Sequence, residues 1–246
     1  MTVTTGPPQP RLAVPAREAP PRAEHVLAVT ARPGQESAEL GGLMYAFRRS
    51  GARLSLLCLT RGEASPFNSG YARLEAVRPW ELQLAASVLG IGSTTVGSYP
   101  DGGLSRYPIT ELTERIQRAI REHRPDLLLV IDPVAGDPDD TAVAIATSTA
   151  ARQAGLPVVA RTAAGARGAW LIDLGADAET ARAIQRSAVA AHASQSAALP
   201  RVLAGLAGRD HLRWLVPARH HGPHASLGRA EGHQRGGGGL LDGIIT

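Results

Sequence analysis

Along this chain, short uninterrupted apolar runs alternate with stretches whose apolar residues recur at helical spacing. Val26–Val29 carries no charge and is aliphatic and β-branched, as a strand covered on both faces should be. Pro33 and Gly34 stop it, and from Ser37 to Arg49 the residues Leu40, Leu43, Met44 and Phe47 share one face, which predicts a first helix. Arg53–Thr60 reads as a second buried strand, so residues 26–60 form a βαβ unit with a right-handed crossover. The pattern then predicts a helix from about Tyr71 to Leu89, interrupted at Pro79 and closed by Gly90, and a short strand at Thr95–Ser98. Thr110–Arg124 reads as an amphipathic helix capped by Thr110, Leu127–Ile131 as the most apolar strand, and Thr141–Ala154 as an Ala-rich helix. Strands at Pro157–Val159 and, near a sheet edge, Ala169–Leu174 follow; a helix from Ala178 to Ala198 and a last strand at Leu212–Val216 complete the order. This succession predicts an α/β fold of three layers, a mostly parallel sheet with helices on both faces. In such sheets ligands bind beyond the carboxyl ends of the strands, which singles out the loops Ala31–Glu36, Arg61–Gly70 and Asp132–Asp140.

Composition bounds the partners. With 246 residues, 43% hydrophobic and 20% charged, the chain can bury one core between two tails. Residues 1–24 are rich in Pro and Arg and residues 218–246 in His and Gly, and both are expected to be disordered around a folded domain at 25–217. The net charge is +4, but all 26 basic residues are arginine, scattered among acids, and only 4% of residues are aromatic. No basic stripe with stacking platforms results, so nucleic acid is not an expected partner. No apolar stretch approaches the ~20 residues of a membrane span, and the N-terminus lacks the apolar region of a secretory signal, which points to the cytoplasm. The single cysteine, Cys58, rules out an internal disulfide and lies in an apolar strand, where a buried inert thiol is expected. Gly90, Gly92 and Gly97 do not open a helix after a strand, so they make no dinucleotide fingerprint.

Six short motifs occur in order along the chain. They are Ala31-Arg32-Pro33-Gly34-Gln35-Glu36 followed by Gly41-Gly42, then Thr60-Arg61-Gly62-Glu63, then Arg78 and Glu81 with Leu89-Gly90. Pro100-Asp101-Gly102, Arg124-Pro125-Asp126 and Ala191-His192-Ala193-Ser194-Gln195 follow. In this order the chain resembles the PIG-L/LmbE family of zinc-dependent N-acetylglucosaminyl-type deacetylases over roughly residues 26–216, which implies a Rossmann-like, LmbE-like sheet. The resemblance implies three zinc ligands of His and Asp type, an open position for water and a carboxylate base beside it. At those positions this sequence differs. Arg32 stands where the family has a His ligand, Gly34 where it has the general-base Asp, and Gln35 where it has an Asp ligand. Asp140 replaces the final His ligand and Asp137 the His that would assist at the oxyanion. Zinc is therefore not expected to be retained. Arg32 is instead expected to fill part of the vacated metal space and to pair with Asp140 or Asp139.

Binding candidates are thus Arg32, Glu36, Arg78, Asp101, Asp139, Asp140 and His192, each with a plainer reading. Glu36 reads as a first-turn acid stabilising a helix N-terminus. Asp132, Asp137, Asp139 and Asp140 read as a solvated turn ahead of the next helix, with a magnesium- or calcium-type oxygen site as the sharper option. Arg78 pairs with Glu81, Asp101 belongs to a Pro-Asp-Gly-Gly turn, and His192 packs in a helix near the sheet edge. The tail histidines His220, His221, His224 and His233 form no site on a flexible tail. Two functions follow from these residues. One is a family member that has lost zinc and catalysis and binds an aminosugar conjugate or regulates a partner, a second copy or an active homologue. The other is an active amidohydrolase that removes an N-acyl group from an aminosugar conjugate with a substitute metal set at Asp140, or with water activated by Glu36 or Asp137.

Overall fold

His25–Thr30 is buried along its whole length, and its successive side chains feed opposite faces of one sheet. The computed structural model of the chain describes residues 17–218 apart from 69 and 207–209. Within it the strands are β1 (Arg17–Glu18), β2 (His25–Thr30), β3 (Arg53–Thr60), β4 (Ser93–Tyr99), β5 (Leu127–Ile131), β6 (Val158–Thr162), β7 (Trp170–Ile172) and β8 (His211–Val216). The helices are α1 (Gln35–Ala38), α2 (Gly41–Arg49), α3 (Leu74–Leu89), α4 (Ile109–His123), α5 (Pro138–Ala154), α6 (Ala178–Ala190) and α7 (Leu199–Gly205). The strands form one sheet in the order β1-β7-β8-β6-β5-β2-β3-β4, parallel except where β8 pairs with β6 and β7. The expected α/β architecture, a mostly parallel sheet with helices on both faces, is the one observed.

The three layers follow from the alternation. Val26, Ala28, Leu54, Leu56 and Cys58 pack with Leu43 and Phe47 of α2, Leu82 and Leu89 of α3, and Ala188 of α6. Leu27, Val29, Leu57, Leu128 and Val130 face the other way, onto Leu112 and Ile116 of α4 and Ala146 and Ala150 of α5. Burial pushes the Cys58 thiol up to about 12, so it stays protonated and inert. From β2 the chain runs outward through β3 and β4, then returns to lay β5 on the other side of β2. The β2/β5 seam is therefore a topological switch point, where the loops leaving two neighbouring strands diverge and open a crevice.

Several expectations need correction. Arg17–Glu18, assigned to a disordered leader, pairs in parallel with Leu171 and Ile172 at the sheet edge, while residues 1–16 and 219–246, with the tail histidines, lie outside the described residues. The first helix is two helices, because the Gln185 side-chain amide donates to the Ser37 and Ala38 carbonyls and ends α1 there. α3 runs unbroken through Pro79, at the loss of one backbone hydrogen bond. α4 starts at Ile109 with Pro108 as N-cap, so Thr110 lies inside the first turn and caps nothing. α6 ends at Ala190, and His192 lies at the bend before a tight 3-10 segment, Ala193–Ala198. Among the described residues no helix is long and apolar enough to cross a membrane.

Candidate functional site

Beyond the carboxyl ends of β2, β3 and β5, a cavity of about 580 Å³ is lined by Arg32 and Gln35 from the first loop and Asp140 from α5. Arg78 of α3, Asp101 of the turn after β4 and His192 complete its polar wall, and Val189, Leu199 and Val202 supply apolar surface. The first loop is shaped by Gly34, whose φ of 98° only glycine adopts without strain. The third loop enters α5 through Asp137, which caps the helix by accepting from the Asp139 and Asp140 backbone N–H groups. The acidic residues are thus the first turn of α5, not a solvated turn ahead of it, and Asp139 and Asp140 are buried.

Arg32 reaches across the β2/β5 seam. Its two terminal nitrogens donate to the two oxygens of Asp137 at 3.0 and 3.1 Å, and its Nε donates to Asp101 at 3.2 Å. The Asp139 carboxylate is 3.9 Å away. Burial works against both charges, but the contact outweighs it, holding the Asp137 carboxyl below the usual carboxylate range and raising the Arg32 guanidinium. Asp140, an expected partner of Arg32, is instead held by the neutral amide of Gln35, whose Nε2 donates at 2.7 Å. Gln35 Oε1 in turn accepts from the Ala31 and Arg32 backbone N–H groups. Burial pushes the Asp140 carboxyl up to about 6, with the nearby charges of Asp137 and Glu39 adding to it and the Gln35 bond and the Arg32 charge opposing.

Glu36 is no exposed helix-capping acid. It is fully buried and accepts from the Gly34 N–H, the Ser37 hydroxyl and the His192 ring, the last at 2.7 Å. Burial alone would raise its carboxyl, but His192 and Ser37 hold it below the ordinary value. Arg78 does not pair with Glu81: it donates to the backbone carbonyls of Pro33 and Gly62 and so ties the first two loops together, with Asp101 at 4.0 Å. Glu81 accepts from the backbone and hydroxyl of Ser194 at 2.6 Å each. Asp132 belongs elsewhere, in an ion pair with Arg213 of β8. All seven candidate residues thus lie in or directly beneath one site. Sequence reasoning missed the Gln35 bond to Asp140, the Arg161–Glu39 pair on the cavity wall at 2.7 Å, and the Ser65–Gln195 bond at 2.5 Å. The position of Gln195 inside a motif was the one available signal.

These donors do not fit a zinc ion. Zinc needs about three His, Cys or carboxylate ligands converging with room for water. Here one position is a permanent cation and one a neutral amide, and Asp137 is committed to Arg32 and the helix cap. Among the described residues no group of three or more His, Cys, Asp or Glu is arranged to hold a metal.

The family model described as "PIG-L: GlcNAc-PI de-N-acetylase" matches residues 27–151. A probable N-acetyl-alpha-D-glucosaminyl L-malate deacetylase 2 of Bacillus anthracis is 32% identical over 134 residues, which is 51% of this chain and 59% of that protein. The match thus spans about three fifths of that relative. N,N'-diacetylchitobiose deacetylase from Pyrococcus horikoshii superposes with a TM-score of 0.59 at 18% identity, over 70% of this chain and 71% of that one. GalB, the 4-carboxy-2-hydroxymuconate hydratase from Pseudomonas putida, superposes with a TM-score of 0.62 at 16% identity, over 81% and 99%. At these identities the two structures speak for the fold alone, and the activities they are named for differ from one another.

Proposed function

This chain belongs to the PIG-L family, and from that premise we propose that it is a non-hydrolysing member whose cavity binds an aminosugar-containing conjugate. The single observation that carries this reading is the mutual satisfaction of the replaced positions: Arg32 closes on Asp137, and Gln35 closes on Asp140. Amide hydrolysis of the family's kind requires an activated water, an acceptor for its proton and a charge that stabilises the tetrahedral oxyanion. The residues that would hold the metal and take the proton are gone, and loss of a general base alone costs ~10²–10⁴ in rate. What remains supports binding. A cavity of about 580 Å³ with a polar floor and an apolar side is of the size and make-up of small-molecule sites. The Bacillus anthracis relative and the Pyrococcus horikoshii deacetylase act, by their names, on N-acetylated sugars, which makes an aminosugar conjugate the ligand class we favour.

The alternative, an amidohydrolase using water activated by Glu36 or Asp137, is poorly served by the geometry. Glu36 is sealed from solvent and held by three donors, and Asp137 is held by a bidentate arginine. The test is zinc content and acetate release together. Protein with His220, His221, His224 and His233 replaced by alanine, dialysed against excess zinc, is expected to retain no stoichiometric metal by elemental analysis. It is also expected to release no acetate from N-acetylglucosaminyl conjugates that an active family member cleaves alongside. One equivalent of zinc with acetate release would establish the hydrolase instead.

A further inference from the structure

Three carboxylates line the cavity, and two of them are neutralised. Asp101 accepts from Arg32 at 3.2 Å, and Glu39 pairs with Arg161 at 2.7 Å. The third, Asp140, is 8% exposed and has no cation within 4 Å among the described residues; its only bond there is the one from the Gln35 amide to Oδ1. Asp140 lines the cavity, and among the described residues its Oδ2 has no hydrogen-bond partner. The wall's cations have their bonds elsewhere, and among the described residues none comes within 4 Å of it. Arg32 is taken by Asp137 and Asp101, Arg78 by two carbonyls, Arg161 by Glu39, and the His192 ring by Glu36. A nearly buried carboxylate with an open oxygen is matched best by a donor that brings its own positive charge, because charge-assisted hydrogen bonds are about twice as strong as neutral ones.

Resting on the non-hydrolysing binding function proposed above, we infer that Asp140 receives a ligand ammonium, so that the cavity selects the free-amine form of an aminosugar conjugate over its N-acyl form. An acylated nitrogen offers Asp140 a single neutral N–H and adds a carbonyl that must itself be desolvated. Desolvating that carbonyl costs binding free energy unless a donor meets it. The elevated Asp140 carboxyl agrees with this geometry: the charge of Arg32 offsets its burial only in part, and a cationic ligand would supply the rest. The apolar residues Val189, Leu199 and Val202 leave room for a hydrophobic part of the conjugate beside the sugar. In a reaction sequence such a ligand is the product of an amide hydrolase acting on an N-acyl aminosugar, so the chain would stand after a deacylase, not in its place.

The full chain, freed of metal with a chelator, is titrated by calorimetry at neutral pH with the phenyl β-glycosides of glucosamine, glucose and N-acetylglucosamine. The expected ranking has the amine about tenfold or more tighter than both neutral probes, with Asp140→Asn bringing the three within about twofold of one another. Equal binding of the three, tighter binding of the N-acetyl probe, an amine preference that survives Asp140→Asn, or no binding of any probe would each overturn the inference. The wild-type ranking stands without the variant, whose fold is checked by its thermal melt. Acetate release from the N-acetyl probe, read on the same samples, separates the two ideas. Release defeats the non-hydrolysing reading, whereas its absence, together with no amine preference in the wild-type chain or one that survives Asp140→Asn, defeats only the assignment of a ligand ammonium to Asp140.

Discussion

A carboxylate buried against a neutral amide is disfavoured when ionised, and at Asp140 this has a pH signature. Its carboxyl lies at about 6 against an ordinary 3.8, so the folded state holds the proton more tightly than the unfolded chain does. The stability it contributes is fully present below the ordinary carboxyl range and is lost as pH rises through about 6. Asp140→Asn removes the charge and keeps an oxygen for Gln35 to donate to. The variant should therefore be more stable than wild type above pH 6, by roughly 1–2 kcal/mol, with the gain fading as the pH falls into the ordinary carboxyl range; urea melts across pH read this directly. Binding sites often carry groups that weaken the fold, and a stabilising substitution there is a sign of one. Arg32, by contrast, holds its neighbourhood together. Arg32→Ala would leave Asp137, Asp101 and Asp139 facing one another, and should cost roughly 2–3 kcal/mol, less than the breaking of a fully buried pair, because Asp137 is one-third exposed. The identities of the altered positions were legible in the sequence. Their partners were not: Arg32 and Asp137 lie 105 residues apart, Glu36 and His192 lie 156 apart, and nothing local distinguishes a buried acid from a helix-capping one.

Helices and strands were read from periodicity with good existence and poorer ends, and the errors have physical causes. The break between α1 and α2 is invisible locally, since it is made by Gln185 donating to the carbonyls of Ser37 and Ala38. The edge strand β1 sits in a Pro- and Arg-rich stretch because it needs only two residues to pair with β7. Gly41 and Gly42, by contrast, are explained only once the helices are packed. A Cβ on Gly41 would sit 2.8 Å from Cγ of Gln185, and one on Gly42 would strike Asp210 and Arg182, whose side chains are paired with each other. Gln185 cannot swing aside without releasing α1. Gly41→Ala should therefore destabilise by about 1–3 kcal/mol despite its better helix propensity, and a denaturant midpoint shift measures it.

At the scale of the whole molecule the site is a product of sheet topology. The loops that meet over the β2/β5 seam come from strands adjacent in space and distant in sequence, and their bonds, Arg32 to Asp137 and Gln35 to Asp140, each join residues 105 positions apart. The architecture was predictable because each strand–helix alternation is local, whereas the order in which the strands lie side by side is not written in any one segment. A fragment ending at Asp126 should accordingly show weak amide protection along β2 in hydrogen exchange, while the full chain protects it strongly. The same spacing sets a clock during synthesis. At about 5–20 residues per second, Arg32 and Gln35 leave the ribosome some 5–20 s before the acidic turn that completes them, and through that interval β2 carries an unpaired edge. The binding cavity is among the last features of the nascent chain to exist, so whatever shields that edge in the meantime helps decide how much of the protein reaches a binding-competent state.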